Sequence, residues 1–252
     1  MSRLRGVYRL CGFLMLTCIT ISKILLLGLV KGKDVKRAIH LRRKLAQRLV
    51  QFLNVQVEVT GNVPSDGALG VTNHRSYIDS ICIFKNLDAC PVVKAEVGKW
   101  PVIGFGLRHS GTVFVDRKSK ESRTRTREQI AEFVRQGIST IVFVEGTTYV
   151  GPDTGEFRPG TFMTAVEGGF EVIPIAIEFE YPEMAWVGND TFVPHFIGVF
   201  GKHRSTRVKV AFGDPMVSDD WETLRDDCRS WIDSKLRQFR AEFNGSVPVH
   251  QN

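Results

Sequence analysis

Val71-Thr72-Asn73-His74-Arg75-Ser76-Tyr77-Ile78-Asp79-Ser80 lies where an apolar strand gives way to a helix. Upstream, Gly67-Ala68-Leu69-Gly70-Val71 is a short, glycine-punctuated apolar run that reads as a buried strand. Downstream, Ile78, Ile81, Cys82, Ile83 and Phe84 read as the start of a buried helix. His74 and Asp79 stand five positions apart. On an ideal helix, at ~100° per residue, that spacing turns them ~140° away from each other. They meet only if His74 precedes the first turn and the chain bends there. A carboxylate on one imidazole nitrogen fixes the tautomer and leaves the other nitrogen as a base. The adjoining helix N-terminus offers N–H groups to an anion. The competing reading makes Asn73 or Ser76 a helix cap and His74 incidental.

Outward from this stretch, strands and helices alternate. Val55, Val57 and Val59 interleave with polar residues, as in a strand with one buried face. Pro91–Ala95, Gly111–Val115, Thr140–Val144, Val172–Phe179 and Arg207–Phe212 read as further strands. Between them, Gly98–Arg108 reads as a loop or short helix, Ser119–Gln136 as a helix, and Thr161 as the start of another. Asp219–Phe243 is a closing helix, with Asp219 and Glu222 in a capping-box spacing. This order predicts an α/β fold: a mixed, largely parallel sheet covered on both faces by helices.

The 252 residues are 43% hydrophobic, which suffices for one α/β domain with an appendage. A net charge of +7 and a pI near 9.3 call for an anionic partner. The basic residues gather beside an apolar run rather than among exposed aromatics, which argues against nucleic acid. Five scattered cysteines without a CxxC pair indicate neither a disulfide framework nor a zinc site, and suit reduced, cytosol-facing thiols.

The apolar run Leu10–Val30 carries one charge, Lys23, and is long enough to cross a bilayer. Arg3, Arg5 and Arg9 precede it; Lys31, Lys33, Lys36 and Arg37 follow it. A single span would place one basic cluster on the wrong side, whereas a helix lying in or re-entering one leaflet keeps both on the cytoplasmic face. Past Gly32, Asp34–Leu53 reads as a basic amphipathic helix, a membrane-surface element. A true span and an ordinary core helix with a solvated basic face are the other readings.

Three strands end in residues suited to chemistry: Asn73-His74, Asp116-Arg117 and Glu145-Gly146-Thr147. In α/β sheets, ligands bind beyond the carboxyl ends of strands. Arg117 offers a guanidinium fork to a phosphate, Gly146 lets backbone N–H groups approach an anion, and Lys94 adds a second cation. Taken singly, each also reads as a surface ion pair, a cap or a solvated side chain.

In this order, these blocks resemble the 1-acyl-sn-glycerol-3-phosphate acyltransferases and related lysophospholipid acyltransferases. Asn73-His74 with Asp79 is similar to the family's HxxxxD, Val113–Arg117 to its F-[IV]-D-R, Phe143–Thr147 to its F-P-E-G-T-R, and Val172–Ile175 to its V-[IV]-P-[VI]. Lys94-Ala95-Glu96 and Phe157–Gly160 look like two further family segments, K-x-E and F-K-x-G. The resemblance spans residues 70–180.

It implies acyl transfer from acyl-CoA or acyl-carrier protein to the hydroxyl of a lysophospholipid, with 1-acyl-glycerol-3-phosphate first among acceptors. It implies His74 as base and Asp79 as its partner. Asn73, Lys94, Arg117, Glu145, Gly146, Thr147 and Arg158 become candidate substrate-binding residues. No cofactor or metal is called for. The chain would divide into a membrane-associating helical anchor (1–54), a catalytic domain (55–245) and a frayed tail (246–252), held at the cytoplasmic face of a plasma or inner membrane. Two departures stand out: Val144 replaces the usual Pro, and Thr148 the usual Arg. Losing that cation weakens the case for a doubly charged phosphomonoester unless Arg158 substitutes, and opens a lyso-aminolipid as the acceptor. An acyl-thioester hydrolase and a non-catalytic lipid-binding protein are the rival classes.

Overall fold

The computed structural model describes residues 2–245; the tail expected to fray, 246–252, lies outside them. Within them, seven strands form one sheet: β1 (Val55–Thr60), β2 (Leu69–Thr72), β3 (Ala89–Lys94), β4 (Val113–Val115), β5 (Ser139–Phe143), β6 (Val172–Phe179) and β7 (Thr206–Phe212). Their order across the sheet is β1-β7-β6-β2-β5-β3-β4. All neighbours pair in parallel except β6 and β7, so β1 and β7 run against the other five. The sheet is mixed and largely parallel, as the alternation of elements predicts.

Among the described residues, eight α-helices flank it: α1 (Ser2–Lys31), α2 (Val35–Leu53), α3 (Ile78–Phe84), α4 (Ile103–Arg108), α5 (Lys120–Arg135), α6 (Gly160–Gly168), α7 (Phe192–Lys202) and α8 (Trp221–Gly245). Strand β6 shows how the layers form. It is buried throughout, and alternate side chains go to opposite faces. Ile175 and Ile177 join a core with Leu49, Leu53, Ile83 and Phe196 from α2, α3 and α7. Ala176 joins the other core, with Ile130, Phe162, Ile232 and Leu236 from α5, α6 and α8. Each fully buried aliphatic side chain contributes about 1.5–3 kcal/mol. In β2, Gly70 leaves room for the ends of Ile141 and Ile175, where a Cβ would collide.

Local signals set most boundaries. Asp34 caps α2 by accepting the Arg37 N–H at 3.0 Å, and Asn54 ends it in the left-handed region, φ 57°. The cap of α8 sits one residue later than its spacing suggests. Asp220, not Asp219, accepts the Thr223 N–H at 2.9 Å and the Thr223 hydroxyl at 2.7 Å. Helix α7 is absent from the sequence reading, since Pro194 and Gly198 within it obscure the helical pattern.

Helix α1 begins earlier than its apolar run, and two of the cations at its start are engaged by the protein. Arg9 is buried and donates to the carbonyls of Phe200, His203 and Arg204 at 3.0, 2.7 and 2.7 Å. Arg5 donates to the carbonyls of Gly201 and Lys202. Both arginines therefore satisfy carbonyls at the C-terminus of α7. Arg42, placed by helical spacing on the solvated basic face of α2, is half-buried instead: it donates to the carbonyls of Ser110, at 2.6 Å, and Ala89. Burial lowers its pKa to about 10.

Candidate active site

The carboxyl ends of β2, β3, β4 and β5 lie along one side of the sheet, so residues from four strand ends converge. Past β2 the chain bends before α3, and the bend is held by Asp79. Its Oδ2 accepts from His74 Nδ1 at 2.7 Å, Arg75 N at 2.6 Å and Ser76 N at 2.8 Å. A carboxylate accepting two amides cannot donate, so Nδ1 carries the imidazole hydrogen. Nε2 is left with a lone pair and has no partner among the described residues. Asp79 is wholly buried, whereas His74 keeps 24% of its side chain exposed. The Arg75 and Ser76 amides, expected to be open to an anion at the helix start, are consumed by this carboxylate.

Two expected substrate contacts hold the frame instead. Asn73 is wholly buried; its amide donates to Ile177 O and accepts from Ile177 N, both at 2.9 Å. Its hydrogen bonds tie the His74 bend to β6. Glu145 accepts from His74 N and Gly155 N, both at 2.6 Å. Burial raises its pKa, against the pull of those two amides. Neither side chain lines the cavity described next.

A cavity of about 440 Å³ opens at His74. At one end stand Lys94, Arg117 and the turn Gly146-Thr147-Thr148; from there it runs between apolar side chains of α1, α2, α3 and α4, including Ile21, Leu49, Ile81 and Ile103. Helices α1 and α2 thus form walls of the site rather than a separate appendage. Gly146, at φ +74°, is required twice: a Cβ there would be strained and would stand 3.1 Å from Arg117 Nη1. The Arg117 guanidinium, just past β4, therefore lies against the turn that follows β5. Among the described residues neither Arg117 nor Lys94 has an ion-pair partner. Arg117 is held below its ordinary pKa by burial and then by Arg158, with Glu96 opposing. Lys94 is lowered by burial and then by Arg117, again with Glu96 opposing.

Arg158 stands outside this group. Its side chain is 65% exposed, lies 3.9 Å from Glu156, and does not line the cavity. Arg75 was not singled out by sequence, yet its guanidinium is 2% exposed and faces Glu178 at 3.5 Å. No sequence signal marks it, because its partner lies 103 positions away.

The arrangement pairs a base with an apolar channel and two unmatched cations, the equipment for moving an acyl chain onto an anionic alcohol. An acyltransferase family model matches residues 54–178. A lyso-ornithine lipid O-acyltransferase from Pseudomonas aeruginosa is 31% identical over 173 residues, covering 65% of this chain and 66% of that protein. A 1-acyl-sn-glycerol-3-phosphate acyltransferase from Neisseria meningitidis is 25% identical over 194 residues, covering 73% and 75%. In fold, the chain is similar to the crystal structure of the LPA acyltransferase PlsC from Thermotoga maritima. The TM-score is 0.71 at 21% identity, over 96% of this chain and 98% of that one. With its sequence blocks, its sheet and its relatives in agreement, the chain belongs to the acyltransferase family.

Proposed function

We propose that this acyltransferase moves a fatty acyl group from acyl-CoA or acyl-carrier protein to the free hydroxyl of 1-acyl-glycerol-3-phosphate, giving phosphatidic acid. The observation that carries the reading is the His74–Asp79 pair at the head of an apolar cavity, beside the unpaired cations Lys94 and Arg117. The acceptor is itself the nucleophile. As its oxygen adds to the thioester carbonyl, its proton passes to His74 Nε2, and Asp79 stabilises the imidazolium. When the C–S bond breaks, the imidazolium returns that proton to the thiolate. No covalent acyl-enzyme is needed. General-base assistance of this kind supplies ~10²–10⁴-fold. Arg117, Lys94 and the Gly146–Thr148 turn hold the acceptor's phosphate, and the apolar cavity holds acyl chain.

A second acceptor is favoured by Thr148. It lines the cavity where the family pattern places Arg, and Arg158 stands in solvent rather than replacing it. Fewer cations suit a less charged head group, such as that of the lyso-ornithine lipid named for the Pseudomonas relative. Purified protein with labelled acyl-CoA and a panel of lyso-lipids tests both readings. Acylated lysophosphatidic acid is the expected product, acylation of the lyso-aminolipid alone selects the second reading, and release of free fatty acid alone removes both.

We also propose that α1 lies in one leaflet on the cytoplasmic side. Its outward face carries Leu4, Tyr8, Met15, Ile19, Leu26 and Leu29, all exposed. Its inward face is bonded to α7 through Arg5 and Arg9, which keeps its start beside the catalytic unit. A cysteine label ahead of Arg3 is expected on the same membrane side as that unit; labelling from the opposite side would make α1 a span.

A further inference from the structure

The last helix reaches back to the site. Arg240, on α8, donates to the Glu178 carboxylate at 2.6 Å and to the carbonyls of Gly151 and Pro152. Glu178 stands near the end of β6 and is 7% exposed. The same carboxylate oxygen lies 3.5 Å from Arg75 Nη2, while Arg75 Nη1 donates to Tyr149 O at 2.7 Å. One buried carboxylate is thus gripped by two guanidinium groups, and both hold carbonyls of one loop, 149–152. That loop continues the Gly146–Thr148 turn directly, and the Tyr149 N–H donates to His74 O at 2.9 Å.

We propose that Arg75, Glu178 and Arg240 form a clamp that sets the Gly146–Thr148 turn against His74, making Arg75 and Arg240 positioning residues for the lipid acceptor. The inference rests on assigning that turn and Arg117 to the acceptor. A planar guanidinium can bond a carboxylate and two carbonyls at once; an ammonium, a point charge on a flexible stem, cannot fix the same directions. The His74 peptide is caught from both sides. Its N–H goes to Glu145 and its carbonyl to Tyr149, so a displaced loop moves the acceptor turn relative to the base. None of the three clamp residues lines the cavity. The clamp therefore acts on acceptor geometry and leaves the channel for the acyl chain alone.

The test uses Arg240→Gln in the full chain, since the Arg240 side chain is 31% exposed and Glu178 keeps Arg75 as its partner. With acyl-CoA and lysophosphatidic acid varied separately, the acceptor KM is expected to rise about tenfold, the size of one weakened charge-assisted bond. The donor KM should stay within about twofold, and Arg240→Lys should recover part of the loss. Without substrate, the Tyr149 and Gly155 amides should exchange hydrogen faster in Arg240→Gln, while amides of α8 do not. Equal rises in both KM values, an unchanged acceptor KM, or unchanged exchange at Tyr149 would each overturn the clamp as proposed. If the wild-type chain acylates no lyso-lipid, the functional reading fails instead, and the exchange measurement still judges the clamp.

Discussion

Two corners of one cavity are built in opposite ways. Around His74, the hydrogen bonds that set the base are made inside the protein: Asp79 collects three N–H donors on Oδ2, Glu145 takes two amides, and Asn73 pairs both ways with Ile177, while Asp79 Oδ1 and the Ser76 hydroxyl are buried with no partner among the described residues. Around Arg117 the matching stops. Lys94 and Arg117 face the cavity, each below its ordinary pKa chiefly through burial, and have no ion-pair partner among the described residues. A base must be held in one geometry before substrate arrives, so its hydrogen bonds are internal. A binding site for an anion must leave its charge unspent, so that the ligand completes it. The first corner contributes to stability; the second forgoes stability for binding.

The largest effect should come from breaking the matched corner. His74→Ala is expected to lower turnover ~10²–10⁴-fold with the fold intact by circular dichroism. Near-normal turnover in a folded His74→Ala protein would end the proposed mechanism. Asp79→Asn should be similarly severe, because the amide no longer enforces the tautomer. It should also lower Tm, since the start of α3 is bonded to that carboxylate.

Arg117→Ala should behave differently in both respects. Losing one charge-assisted bond of ~1.5–3 kcal/mol raises the acceptor KM ~10- to 100-fold. Tm should hold or rise, because a partly buried, unpaired cation is removed. A fall in Tm as large as that of Asp79→Asn would erase the distinction between the two corners.

Lys94 gives the comparison a pH dependence. Its pKa lies below the ordinary lysine value because burial, then Arg117, disfavours the charge. A lysine is cationic below its pKa, so acceptor KM should climb as pH rises through that lowered value, sooner than an ordinary lysine would require. Lys94→Arg should carry the low-KM plateau to higher pH; identical profiles for both proteins would remove Lys94 from acceptor binding.

The smallest effects belong to the edge of the unmatched corner. Thr148→Arg should raise the ratio of kcat/KM for lysophosphatidic acid over lyso-ornithine lipid by up to ~10-fold, through one new charge-assisted bond. Arg158→Ala should change the lysophosphatidic acid KM by no more than ~2-fold, since an exposed cation is screened by solvent. A large rise in KM on Arg158→Ala would show that Arg158 swings in to replace the missing arginine.

Much of the site was legible because it is local. His74 and Asp79 meet through five positions of chain, and Gly146 follows β5 directly. Hydrophobic period and spacing capture such relations. What escaped was the use to which each polar group is put. Asn73 and Glu145, expected among the substrate contacts, are bonded to backbone instead. Arg5 and Arg9 belong by sequence to the basic cluster ahead of the apolar run, and Arg42 to the basic amphipathic helix, yet all three donate to carbonyls of the protein. Nothing in the sequence marks Arg75, although it is among the most buried polar residues of the site. Helix α7, obscured in sequence, supplies the carbonyls that bind Arg9.

The sequence by itself determined the strand–bend–helix unit at His74, the alternation that yields a three-layer α/β fold, and the polar residues at the strand ends. Each depends on neighbours within a few positions, where backbone geometry alone relates residue type to place. Tertiary structure decided the strand order β1-β7-β6-β2-β5-β3-β4, the walls that α1 and α2 lend to the cavity, and which cations remain free. An arginine has the same formula whether it caps a distant helix, as Arg9 does, or waits unpaired at a cavity, as Arg117 does. Only the partners brought to it by folding decide whether its charge is spent within the protein or left for a substrate.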